Sequence, residues 1–190
     1  MHWSCCDTAD FSTEALQQTY AQLSASRKEH IDRLRQSEDK ARSLAAELLV
    51  QKLLQEQYGI TAGVLHRSQS GQPYLSGCDL HVSISHCDRM VACALSREPV
   101  GIDVEKVRPI DLAICRHVCT DEEKAYVGTD GTEGQVCRDP QILSRFFEIW
   151  TAKEAYFKKR GTGITDLKSI NILPLSRQTH RIGEYILQIL

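Results

Sequence analysis

Apolar residues recur at helical spacing through the first third of the chain. Ala41, Leu44, Ala45, Leu48, Leu49, Leu53 and Leu54 form one series, opened by Ser37-Glu38-Asp39 and followed by Gly59. Steps of three and four residues place these side chains on one helical face. A glycine suits the left-handed position just past a helix end. Ser12-Thr13-Glu14 opens an earlier helical segment, and Ser26 or Arg27 opens a second. After Gly59 the period shortens. Val64-Leu65 and residues 81–85, 90–95 and 100–105 read as short strands. Turn signals separate them at Ser70-Gly71-Gln72-Pro73, Ser76-Gly77 and Arg97-Glu98-Pro99. Pro109 then introduces a helical stretch over residues 111–126. Residues 129–138 carry two glycines and no periodicity, and read as a flexible loop. Asp139-Pro140 is a strong helix start, with Asp as N-cap and Pro at the first position, and Gly161 is the stop. Residues 170–173 and 185–190 read as closing strands. The order of helices, strands, helices, strands predicts an α+β protein in two halves, 1–100 and 101–190.

Composition narrows the function. Of 190 residues, 42% are hydrophobic and 25% charged, ordinary values for a globular chain large enough to bury its own core. Lys plus Arg is 23 and Asp plus Glu is 25, for a net charge of −2. That balance argues against nucleic-acid binding by bulk electrostatics. No apolar run approaches the roughly 18 residues that span a bilayer. Met1-His2-Trp3-Ser4-Cys5-Cys6-Asp7 has neither a basic nor an apolar leader segment, which points to the cytoplasm. The eight cysteines are then expected to be free thiols. One other reading is a zinc site, since Cys78, His81, His86 and Cys87 offer four soft ligands within ten residues. Structural zinc sites more often pair two separated knuckles.

Two segments carry candidate chemistry. In Gly101-Ile102-Asp103-Val104-Glu105, alternate residues of a strand share a face about 6.6 Å apart. Asp103 and Glu105 therefore sit side by side, with Ile102 and Val104 toward the core. Such a pair is either a solvated strand face or a cation site, since adjacent carboxylates repel. In the second segment, Phe146, Phe147, Trp150 and Phe157 mark the buried side of a helix. Glu154 and Lys158 lie four apart on it, which would also suit an ordinary surface ion pair.

In this order, Gly-Ile-Asp-Val-Glu followed 45 residues later by Trp-x-x-Lys-Glu-Ala-x-x-Lys resembles the 4′-phosphopantetheinyl transferase superfamily. Its members move phosphopantetheine from coenzyme A to a serine of a carrier protein, with magnesium. The likeness runs from about residue 24 to 170. Gly71-Gln72-Pro73 resembles the family's coenzyme-binding Gly-Lys-Pro loop, with Gln72 in place of the lysine, and Arg67 precedes it. Ser83-Ile84-Ser85-His86 resembles a strand end whose Ser85 and His86 would contact the nucleotide phosphates. Arg27 and His30 resemble the early basic residues that reach the 3′-phosphate; solvated helix charges are the alternative. Thr120 to Glu123 resembles the Phe-Ser-x-x-Glu box, with Cys119 replacing the aromatic.

The resemblance implies a ligand set of Asp103, Glu105 and Glu154 for Mg²⁺. It makes Glu154 the proton acceptor, directly or through water, with Glu123 helping to hold that water or base. Lys158 would neutralise the departing 3′,5′-ADP and contact the coenzyme, with Lys153 a further candidate. Arg27, His30, Arg67, Gly71, Gln72, Ser85, His86 and Lys158 would bind coenzyme A. Short family members begin at the Gly-Ile-Asp segment and form trimers. The 100 residues before Gly101 instead resemble the longer pseudo-dimeric type. That type has two similar halves with pseudo-twofold symmetry, one site at their interface, and a monomeric state. The partner implied is an apo acyl or peptidyl carrier protein, with no nucleic acid and no membrane. A metal-dependent phosphoanhydride hydrolase and a non-catalytic coenzyme- or carrier-binding protein are the alternatives.

Overall fold

The computed structural model describes residues 1–129 and 136–190. The elements in chain order are β1 (His2–Asp7), α1 (Thr13–Gln22), α2 (Ala25–Asp32), α3 (Ser37–Tyr58), β2 (Val64–Arg67), β3 (Pro73–Ser76), β4 (His81–Cys87) and β5 (Met90–Ser96). There follow β6 (Ile102–Lys106), β7 (Ile110–Asp111), α4 (Cys115–Val118), α5 (Asp121–Val127), β8 (Val136–Cys137), α6 (Pro140–Arg160), β9 (Gln178–Ile182) and β10 (Tyr185–Ile189). The fold is α+β, in two compact units, Met1–Val100 and Gly101–Leu190.

Each unit is an antiparallel three-stranded sheet packed by one long helix. In the first the strand order is β1-β5-β4 and the helix is α3; in the second it is β6-β10-β9 and the helix is α6. Both units thread the same path. A first strand is followed by the long helix, and then by a hairpin whose last strand returns between the other two. The topology therefore repeats where residue identities do not. Leu49, Val50, Leu53 and Leu54 of α3 form the first core with Val91, Cys93 and Leu95 of β5. Phe146, Phe147, Ile149 and Ala152 of α6 form the second with Ile186 of β10 and Ile172.

The helix boundaries follow local chemistry. Ser12 and Asp139 cap α1 and α6 by accepting from backbone N–H groups, and Gly59 and Gly161 take left-handed φ of 67° and 66° past α3 and α6. Ser24, rather than Ser26, caps α2. The helix expected over 111–126 is broken. The α4 helix ends at Val118, and Thr120 opens α5 with a capping box in which Glu123 returns to the Thr120 N–H. The strand expected at 170–173 is absent; those residues follow a short 3₁₀ turn, and Ile172 plugs the core with none of its surface exposed. β1 was not evident in the sequence, yet it pairs with β5 along its whole length, from His2↔Leu95 to Asp7↔Met90. β3 lies between two turns that masked it. Of the loop expected at 129–138, residues 130–135 lie outside the described residues, and Val136–Cys137 pairs with Ile110–Asp111.

Gly101 sets how closely α6 lies against β6. A Cβ placed on it would fall 1.8 Å from the Ala155 carbonyl oxygen and 2.8 Å from the Lys159 nitrogen. Both are backbone atoms of the helix, so no side-chain rotation can relieve the clash. Gly101→Ala is expected to destabilise the second unit by about 1–3 kcal/mol or more, the usual cost of overpacking. Denaturant unfolding measures it, and a midpoint unchanged from wild type would show that the helix yields freely.

Candidate functional site

Two groups of side chains stand out, one in each unit. In the second unit Asp103 and Glu105 project from β6 toward α6, where Glu154 meets them. Ligand oxygens of the three carboxylates all lie within 4.8 Å of one another. Among the described residues this is the one such convergence of three or more His, Cys, Asp or Glu side chains. Of the two readings of the Asp103–Glu105 pair, the solvated strand face does not hold for Asp103. Ile102 and Val104 are fully buried on one face, and Asp103 is only 1% exposed on the other. Lys158 does not pair with Glu154 along the helix. Its Nζ donates to Asp103 Oδ1 at 2.6 Å. Burial, followed by the Asp103 carboxylate, pushes the Glu154 carboxyl up to about 8; Glu105 adds to the rise and Lys158 opposes it.

Three acidic groups thus converge, and the Lys158 ammonium is bound to one of them, Asp103. Hard carboxylate oxygens from few residues are the donors that a small divalent cation accepts while keeping water ligands. The residues thus fit such an ion.

In the first unit a cavity of about 280 Å³ is lined by Ser26, Arg27, His30, His66, Arg67 and Tyr74, among others. Two of these residues hold buried guanidinium nitrogens with no partner, Nη1 of Arg27 and Nε of Arg67. Arg67 Nη1 donates to the Gly71 carbonyl at 2.8 Å, which ties the strand to the tip of the β2–β3 turn. Burial, then the charges of Arg27, Arg67 and Arg33, lower the His30 pKa below its ordinary value. The neutral imidazole is thereby favoured. Burial and Arg27 likewise lower Arg67. A cavity in which cations depress one another is one that an anion relieves.

Family models match both units. The model described as the 4′-phosphopantetheinyl transferase superfamily covers residues 99–188, and that described as 4′-phosphopantetheinyl transferase, N-terminal, covers residues 10–98. The chain belongs to the 4′-phosphopantetheinyl transferase superfamily. Among curated relatives, the 4′-phosphopantetheinyl transferase gsp of Aneurinibacillus migulanus is 38% identical over 66% of this chain and 51% of its own length. A 4′-phosphopantetheinyl transferase of Bacillus subtilis is 31% identical over 76% of this chain and 63% of its own. The transferase Sfp of Bacillus subtilis strain 168 is 27% identical over 88% and 71% respectively. The chain thus spans from about half to seven-tenths of the length of these relatives.

The remaining superfamily positions are not all gathered in the two sites. Gly71, with φ of 84°, and Gln72 form the exposed tip of the β2–β3 turn, outside the cavity lining. Ser85 is buried and His86 exposed at the end of β4, also outside it. Glu123 is not with the carboxylates. It is fully buried, with Oε1 accepting from the Ile172 N–H at 2.8 Å and Oε2 from the Thr120 N–H at 2.8 Å and from Lys153 at 2.5 Å. Lys153 in turn donates to the Val118 and Leu167 carbonyls at 2.7 and 2.8 Å. Neither group has an atom to spare for substrate, so their expected role near the reaction is corrected to one inside the core. The zinc reading falls too, since Cys78, His81, His86 and Cys87 do not converge. All eight cysteines are unbridged. Sequence reasoning missed Ser43 and Glu47, which hold Arg27; their spacing of four on α3 was the available signal.

The lowered pKa of His30 bears on anion binding at alkaline pH. His30→Lys restores a charge at pH 8 and should tighten binding of 3′,5′-ADP several-fold there. Calorimetric titration of both proteins measures this. Equal affinities at pH 8 would place the anion away from residue 30.

Proposed function

We propose that this chain transfers the 4′-phosphopantetheine arm of coenzyme A to a serine hydroxyl of an apo acyl or peptidyl carrier protein. The product besides the loaded carrier is 3′,5′-ADP. The observation that carries this reading is the convergence of Asp103, Glu105 and Glu154 in a chain of this superfamily. The basic cavity of the first unit supports it, as a place for a phosphate of the coenzyme.

In this reading Asp103, Glu105 and Glu154 hold Mg²⁺, which when bound neutralises charge on the coenzyme's pyrophosphate. Arg27 and Arg67 bind and orient a coenzyme phosphate, and position is most of what phosphoryl transfer asks of a protein. The carrier's serine oxygen bonds to the phosphorus that bears the pantetheine arm, and the bond from that phosphorus to the bridging oxygen breaks. Glu154 receives the serine proton on its carboxylate, and burial beside Asp103 favours uptake of that proton. Lys158, held beside Asp103, supplies the positive charge that the departing 3′,5′-ADP requires. No helix among the described residues is long and apolar enough to cross a membrane. Unbridged thiols suit a cytoplasmic setting, and a monomer is the assembly we assign.

The test is incubation with coenzyme A, Mg²⁺ and a panel of apo carriers, read by intact mass. One or more carriers should gain the mass of a phosphopantetheine arm, and excess EDTA should abolish the gain until Mg²⁺ or Mn²⁺ is restored. Transfer undiminished in chelator would remove the metal assignment. Free product with no loaded carrier would replace transfer by hydrolysis.

A further inference from the structure

Arg27 is held on two edges and buried without a partner on the third. Its residue is 4% exposed, on a helix whose other buried residue is Ile31. Nε donates to Glu47 Oε2 at 3.2 Å, and Nη2 donates to Ser43 Oγ at 2.9 Å. Ser43 and Glu47 lie four apart on α3, so one face of that helix presents both acceptors. Nη1 is left buried with no partner, in a residue that lines the cation-rich cavity. Burying an unpaired donor on a charged group is unfavourable, and an anion that pairs with it recovers what burial loses. A guanidinium free to turn would satisfy its own donors instead.

We propose that Glu47 is a positioning residue for anion binding: with Ser43, it fixes the Arg27 guanidinium so that Nη1 stays available to the phosphate that the cavity takes. The proposal rests on the reading of that cavity as a coenzyme phosphate site. Glu47 is itself 5% exposed, and burial raises its carboxyl pKa although Arg27 opposes the rise. A buried ion pair of this kind is weak as a stabiliser, because desolvation consumes most of the attraction. Orientation and charge act here in opposite senses. As a negative charge Glu47 weakens the cavity's pull on an anion. As an acceptor it strengthens binding by holding the donor in place.

The experiment separates these two effects. The full chain and its Glu47→Leu, Glu47→Gln and Ser43→Ala variants are titrated with 3′,5′-ADP and, in parallel, with inorganic pyrophosphate, well below each melting transition. Glu47→Leu removes both charge and acceptor and should raise Kd about tenfold or more, the loss of one charge-assisted contact. Glu47→Gln keeps an oxygen for Nε and should bind within about threefold of wild type, or tighter. Ser43→Ala should weaken binding severalfold, and it decides the question if Glu47→Leu does not fold. Tighter binding by both Glu47 variants would overturn the proposal in favour of a plain counter-ion. Lower melting temperatures with unchanged Kd in every variant would overturn it in favour of a purely structural pair. Pyrophosphate binding without 3′,5′-ADP binding would remove the coenzyme reading, yet leave the Glu47 comparison decided on pyrophosphate. Wild-type protein that binds neither would overturn both.

Discussion

Glu154→Gln should lose at least about a hundredfold in kcat for carrier loading, the scale of a positioned proton acceptor, while gaining stability at alkaline pH. The two effects have one cause. Glu154 lies against Asp103 and Glu105 in a place where burial already penalises charge, and its carboxyl is pushed up from 4.5 to about 8. The folded state therefore holds this proton more tightly than the unfolded state does. Such a group favours folding below its unfolded value, and the contribution is lost as pH rises through about 8. Metal-free wild type should accordingly weaken between pH 5 and pH 9 more steeply than the glutamine variant, which keeps the side chain's size but never takes up the charge. Thermal unfolding in EDTA at both pH values reads the difference. Mg²⁺ should restore wild-type stability at pH 9, because it binds the ionised cluster, and should do little for the variant. Lys158→Ala gives the contrast, since it removes the cation that shields Asp103. It should lower kcat and steepen the alkaline loss of stability. Near-normal turnover in Glu154→Gln would leave the reaction without its acceptor and favour a binding-only protein.

That cluster was legible because it is local. Asp103 and Glu105 need only the strand period, and Glu154 and Lys158 only the helix period. The meeting of the two segments was implied by the family resemblance; Gly101, by admitting the helix backbone, is the physical reason for it. The boundaries of α6 were legible for the same reason, since Asp139, Pro140 and Gly161 are strong local signals. What was not legible depends on partners distant in sequence. β1 contains Cys5-Cys6 and no alternating pattern, and it is a strand because β5 offers it a complete ladder. The stretch at 111–126 has helical character throughout, but the Thr120 side chain caps a new helix and breaks the first. The repeated path of the two units is carried by strand order, which residue identities between the halves do not reveal. In the first unit, Arg27 and His30 were placed by resemblance, whereas the groups that hold Arg27 emerged only in three dimensions.

Glu123 and Lys153 show how the same motif residues serve structure rather than chemistry, and they yield the largest stability effect expected in the chain. Both side chains are wholly buried, 2.5 Å apart. The carboxylate ties the start of α5 to Ile172, and the ammonium ties α6 to the carbonyls of Val118 and Leu167. Together they fasten segments between residues 118 and 172 that otherwise have little regular structure in common. A buried ion pair is worth little over an apolar replacement, but removing one partner strands the other charge without solvent. Lys153→Met should therefore cost about 3–5 kcal/mol, a large share of the stability of a domain this size. Glu123→Gln should cost less, because its amide oxygen still accepts from a backbone N–H while the ammonium keeps two carbonyls. The double replacement should be milder than Lys153→Met alone, since no bare charge remains. Denaturant unfolding of the three variants, followed by kinetics on the folded fraction, gives the answer. A Lys153→Met protein of undiminished stability but with kcat lowered a hundredfold would return these two residues to the reaction.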